Sequence, residues 1–142
     1  MLKLISATPS PYARKARILF SKKKRIPFEL ITEVPSDSTA QTPKHNPLEK
    51  LPVLILEDIS SVYESHYILE YIETKFPDRI PILSQDIHSK LFSEKVEVVV
   101  DGMCDVLALL LFEKQHAEGS QGQEWKARQM RKVEGEFRAL AD

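Results

Sequence analysis

A single cysteine, Cys104, stands among 142 residues, so the chain can build neither an intramolecular disulfide nor a CxxC pair for zinc or redox work. Cysteine this sparse fits a reducing compartment, and Met1 to Ser6, with only Lys3 before the turn residues, lacks the pattern of a secretory signal. Both observations predict a cytoplasmic protein. The four glycines, Gly102, Gly119, Gly122 and Gly135, form no phosphate-cradling loop. His45, His66, His88 and His116 share no ligand spacing with one another or with Cys104, so no metal is expected. An excess of one charge is missing too: Lys+Arg 20 against Asp+Glu 21 leaves a net charge of -1. Without a basic field, neither nucleic acid nor an anionic membrane surface is an expected partner. The longest apolar stretch, Val96 to Phe112, is broken by Asp101 and Asp105 and is too short to span a bilayer. It reads as a buried helix, with Cys104 as a small buried hydrophobe inside it.

What is present is enough apolar residue, 42% of the chain, for a real core. Leu2, Leu4, Ile5 and Ala7 form a short strand, closed by Thr8-Pro9-Ser10. A helix follows, with Ser10 as N-cap, Pro11 at its first position and an apolar stripe of Ala13, Ala16, Ile18, Leu19 and Phe20. The cationic run Lys22 to Arg25 ends it, where positive charge suits the helix dipole, and reads as a solvated face. Phe28 to Thr32 is a second strand, completing a parallel unit with a crossover helix. Residues 35–47 read as a polar loop. A hairpin, Val53 to Leu56 and Val62 to Tyr63, leads into a helix from Ser65 to Phe76. The order βαβ then ββα predicts an α/β, thioredoxin-like domain over residues 1–76. A linker over 77–86 follows, and then a partial all-helical domain over 87–142. That domain has two helices, roughly Ile87 to Gln115 and Gln123 to Leu140.

Replacing Ser10 and Ala13 by cysteine would turn Ser10-Pro11-Tyr12-Ala13 into the Cys-Pro-Tyr-Cys dithiol of a glutaredoxin. With both sulfurs gone, a hydroxyl at the helix start can cap the helix or donate a hydrogen bond to a thiolate brought by a ligand. Asn46-Pro47-Leu48-Glu49-Lys50-Leu51-Pro52-Val53 precedes the third strand, and Glu64-Ser65 opens the next helix. Together these motifs resemble the glutathione transferases, over residues 1–86 and the first two helices of that family's second domain. The Ser-Pro-Tyr-Ala-Arg-Lys stretch is similar to the serine-type turn of bacterial, zeta-like or theta-like members.

The resemblance implies glutathione as co-substrate. Ser10 becomes the catalytic hydroxyl that stabilises its thiolate, helped by Arg14, with Thr8 as a spare hydroxyl that the sequence leaves open. A thiol of pKa about 8.5 is only a few per cent ionised at neutrality, so stabilising the anion matters. The resemblance places a cis bond at Leu51-Pro52, where Leu51 would pair with the extended tripeptide. Glu64 would bind the α-ammonium of glutathione and Ser65, at a helix N-terminus, its α-carboxylate. Lys50, and more remotely His45, would reach the glycyl carboxylate; Met103 and Leu107, with Leu110, are read either as lining a pocket for the electrophile or, as helix-spaced apolar residues more often are, as core. Helix capping by Ser10 and Glu64 is the structural alternative.

The implied function is transfer of the glutathione thiolate to an electrophilic carbon by a homodimer. A non-catalytic binding or regulatory protein of the stringent starvation type, and a glutathione-dependent isomerase or dehalogenase, are the rival readings. Glu49 departs from the family, standing where glycine is common. The helical domain, about half the usual length, fits a truncated chain, a fragment or a degenerate gene product. Its first helix is apolar on more than one face and calls for neighbours beyond a single partner helix.

Overall fold

The computed structural model describes residues 1–34, 37–77 and 80–141; Pro35 and Ser36 of the polar loop, Asp78 and Arg79 of the linker, and Asp142 lie outside the described residues. The chain divides into two compact units, Met1–Ile82 and Leu83–Asp142. The first runs β1 (Leu2–Ser6), α1 (Pro11–Lys22), β2 (Phe28–Thr32), α2 (Thr42–His45), β3 (Val53–Ile55), β4 (Ser61–Tyr63) and α3 (Ser65–Lys75). Its sheet has the order β2-β1-β3-β4. Strand β1 lies parallel to β2, Leu4 opposite Leu30, and antiparallel to β3, Leu4 opposite Leu54; β3 and β4 are antiparallel. This is the thioredoxin-like layout. The second unit is helical, with α4 (Ile87–Glu113), a 3-10 turn (Glu118–Ser120) and α5 (Gln123–Ala141).

Helices α1, α3 and α4 start where their cap chemistry says they should. Ser10 caps α1 with Pro11 in the first turn, Glu64 caps α3, and the Asp86 carboxylate accepts from the Ser89 N–H at 2.8 Å to open α4. That bond holds the Asp86 carboxyl below its ordinary value. The core of the first unit gathers Leu2 and Leu4 of β1, Leu54, Val62, then Ala16, Leu19 and Phe20 of α1 with Ile68 and Ile72 of α3. Phe20 and Phe28 pack with ring centroids 4.4 Å apart.

Several expectations are corrected. Ile18 lies off the buried stripe of α1 and is exposed, because five residues from Ala13 turn a helix well past the Ala13, Ala16, Phe20 line. Lys23, taken for part of a solvated cationic face, is only 1% exposed and pairs with Glu73 of α3 at 2.9 Å. The polar loop is not all loop, since residues 42–45 form a helical turn, α2.

The Val96 to Phe112 run is helical but not buried: within α4 only Met103 and Val106 are buried, whereas Val98 is 73% and Leu111 60% exposed. The reason is the lack of partners, since the buried cluster of this unit comprises Met103, Val106 and Val133 of α5, with Leu110 against it. Cys104 is only partly buried. No helix among the described residues is long and apolar enough to cross a membrane.

Candidate functional site

The register of the sheet brings the turn before Ser10, the Leu51-Pro52 step, Glu64 and Ser65 to one end of its strands. Ile5, near the end of β1, pairs with Val53 at the start of β3, and Val53 pairs with Tyr63 at the end of β4. The residues just beyond these pairs are therefore neighbours in space: the turn leading to Ser10, the Leu51-Pro52 step, and Glu64 with Ser65. Lys50 lies one residue further out.

Ser10 is half-buried, in extended conformation (φ -73°, ψ 119°), and its Oγ accepts from the Ala13 N–H at 3.1 Å. This cap occupies a lone pair of the oxygen, whereas stabilising a thiolate uses the O–H. The two roles are compatible. The Ser10 N–H donates to the Ala7 carbonyl at 3.2 Å, and Arg17 Nη2 donates to the Thr8 carbonyl at 3.3 Å, so the turn is tied at both ends. Thr8 and Arg14 are exposed.

The Leu51-Pro52 peptide bond is cis, as the resemblance implied. Glu49, in the position where glycine was expected, has φ 52°, a left-handed conformation that glycine adopts freely. The segment that leads to Leu51 is shaped by Asn46, a residue to which the sequence reading assigned no role. Only 1% exposed, its side chain donates to the Lys50 carbonyl at 2.7 Å and accepts from the Leu48 N–H at 2.9 Å. The Lys50 side chain itself is exposed. An Asn before Pro is a turn signal in the sequence, and this is the signal that could have found it.

Glu64 adopts φ 76°, ψ 128°, unusual for any residue but glycine. Its carboxylate accepts from the N–H groups of His66 (3.2 Å) and Tyr67 (3.1 Å) and from Ser65 Oγ (3.2 Å). Ser65 is buried at the head of α3. His45 is held by Nδ1 at 3.0 Å from Ser61 Oγ, at the far end of β4 from Glu64. Met103 lies in the α4–α5 core and Leu107 is exposed on α4. Among the described residues no cluster of three or more His, Cys, Asp or Glu could hold a metal.

Comparison with known proteins meets this geometry at residues 4–80, which match the family of the glutathione S-transferase N-terminal domain. That is more than half of the chain. The chain belongs to the glutathione S-transferase family. A glutathione S-transferase of Methylobacterium radiotolerans, solved in complex with glutathione sulfonate, is 52% identical with a TM-score of 0.93, over 99% of this chain and 65% of that one. One of Methylobacillus flagellatus, solved with GSH bound, is 34% identical with a TM-score of 0.90, over 99% and 68%. The GST-like protein YibF of Escherichia coli, itself uncharacterized, is 32% identical over 93% of this chain and 64% of its own length. The chain thus spans about two thirds of these glutathione S-transferase relatives.

Proposed function

We propose that the chain is a serine-type glutathione transferase that binds glutathione at this end of the strands, ionises its thiol beside Ser10, and delivers the thiolate to an electrophilic carbon. The observation that carries the reading is the Ser10 hydroxyl at the N-cap of α1, in a chain 52% identical to a transferase solved with glutathione sulfonate. In this reading the α1 dipole and the Ser10 O–H stabilise the anion. Leu51 offers its backbone to the tripeptide, and Glu64 and Ser65 take the ammonium and carboxylate of its γ-glutamyl end. Lys50 meets the glycyl carboxylate, with His45 as a more remote second donor. In this reading the protein acts as a homodimer.

A second reading, glutathione binding without turnover, is favoured by one feature: both Ser10 and Glu64 already have a structural task as helix caps. Calorimetric titration with glutathione followed by a chromogenic electrophile assay separates the two. With Ser10→Ala the fold and glutathione binding are retained, the pKa of the bound thiol rises, and turnover falls roughly ten- to thousandfold, as for loss of one donor to a developing anion. Thiolate absorbance against pH reads the shift. An unchanged pKa moves the role to Thr8 or to the helix dipole, and binding without any turnover in the wild type establishes the second reading.

A further inference from the structure

The short helix α2 is built without a cap of its own. Gln41, at its N-cap position, makes no side-chain capping bond. The cap comes instead from Glu33, at the end of β2. Its Oε1 accepts from the Gln41 N–H at 2.8 Å, while Oε2 accepts from the Thr42 N–H at 3.2 Å and from Thr42 Oγ1 at 2.7 Å. Glu33 is in turn fixed to the sheet, since its N–H donates to the Ser6 carbonyl at 2.8 Å. A helix of four residues is far below the length that sustains itself in water. The orphan N–H groups of its first turn are met by a carboxylate, a charge-assisted bond of the stronger kind.

The segment after α2 is the one that the proposed glutathione site needs in place. The turn carries His45 and hands directly to Asn46, whose N–H donates to the Thr42 carbonyl at 2.9 Å and whose amide clamps Lys50 and Leu48. A continuous line of hydrogen bonds therefore runs from Ser6 in β1 through Glu33, Thr42 and Asn46 to Lys50, next to Leu51. Thr42 and Asn46 are both buried, so the line is shielded from water where it turns.

We propose that Glu33 is a positioning residue for glutathione: its carboxylate anchors α2 to the sheet and, through Asn46, sets the backbone that presents Lys50 and Leu51 to the ligand. This rests on the glutathione reading above. The Glu33 carboxylate is engaged with Gln41 and Thr42, so it acts on affinity and not on ionisation.

The test compares wild type with Glu33→Ala, Glu33→Gln and Thr42→Val, titrated with glutathione by calorimetry at a temperature where each is folded by circular dichroism. The expected result is a Kd raised roughly tenfold in Glu33→Ala, as for loss of one cap coupled to binding, with a smaller rise in Glu33→Gln, which keeps one acceptor. The pKa of the bound thiol stays at its wild-type value, and amide exchange accelerates at Gln41 and Thr42 while α1 and α3 keep their protection. A structural role alone would lower the melting temperature and leave Kd unchanged in the folded variant, and that outcome overturns the assignment. So does a thiol pKa that moves with Kd. If Glu33→Ala does not fold, Thr42→Val, which removes only the hydroxyl partner, decides by the same readouts. A wild type that binds no glutathione overturns the glutathione reading itself and the assignment with it, whereas wild-type binding with unaffected variants overturns the assignment alone.

Discussion

Glu64 has two tasks at one point of the chain. Its backbone at φ 76° occupies a region that costs a non-glycine residue on the order of 1–3 kcal/mol, while its carboxylate caps α3. A glycine would relax the backbone, so keeping a carboxylate there points to a use for the charge. Glu64→Gln separates the tasks in large part, because the amide oxygen keeps one of the two capping acceptors while the charge is gone. The expected outcome is a stability lowered by about 1 kcal/mol, for the one capping acceptor lost, with glutathione affinity weakened by about 2 kcal/mol, read by calorimetry with glutathione and with an S-alkyl analogue whose thiol is blocked. Full affinity in Glu64→Gln would make the residue a cap and nothing more. Ser10, Leu51-Pro52 and Glu64-Ser65 were legible in the sequence because each is a local pattern of cap, proline and helix start. Glu33 was not, because its meaning lies in a partner brought close by folding, Thr42, nine positions along the chain, whereas Asn46 carried a local turn signal before Pro47.

The elements are joined by one bond that the sequence pattern hid. Lys23, at the C-cap of α1, lies buried against Glu73 of α3, and Glu73 also accepts from the Ile82 N–H at 3.3 Å. A buried ammonium that loses its partner is far more costly than the pair itself is favourable. Glu73→Ala is therefore expected to lower the stability by about 3 kcal/mol, whereas Lys23→Met, which fills similar space without charge, changes it by less than about 1 kcal/mol. Urea unfolding followed by circular dichroism measures both. Equal and small effects would mean that water reaches the Lys23 ammonium. The periodicity of α1 placed its N-terminus and apolar face, but four successive cations look alike in one dimension. Only the position of Glu73 on the neighbouring helix chooses Lys23 to be buried and leaves Lys22, Lys24 and Arg25 exposed.

At the scale of the whole molecule the unmet demand is the apolar surface of α4. Phe92, Val98, Leu107, Leu109, Leu111 and Phe112 are all exposed within the single chain. Exposed apolar area of this kind on one helix favours association, and a second copy is the partner of known concentration. The expected state is a homodimer in light scattering at micromolar concentration, with a hydrophobic dye bound increasingly on dilution. Val98→Glu or Leu111→Glu shifts the population toward monomer, since burying a carboxylate in an apolar interface is unfavourable. A monodisperse monomer that binds no dye would show that α4 is covered in some other way.

The sequence by itself determined the strands and long helices and their order, though not the short α2, because hydrophobic period, caps and prolines act over a few residues and need nothing distant. It carried the family likewise, since the Ser10 turn, the Leu51-Pro52 step and the Glu64-Ser65 start are each contiguous in the chain. Tertiary structure alone decided which polar groups became internal. Lys23 and Thr42 are buried because Glu73 and Glu33 arrive from elsewhere to satisfy them, and a buried polar group is tolerated only when such a partner is in reach. The same holds in reverse for α4, where apolar character was plain in the sequence and burial was not, because burial is a property of the neighbours a helix finds.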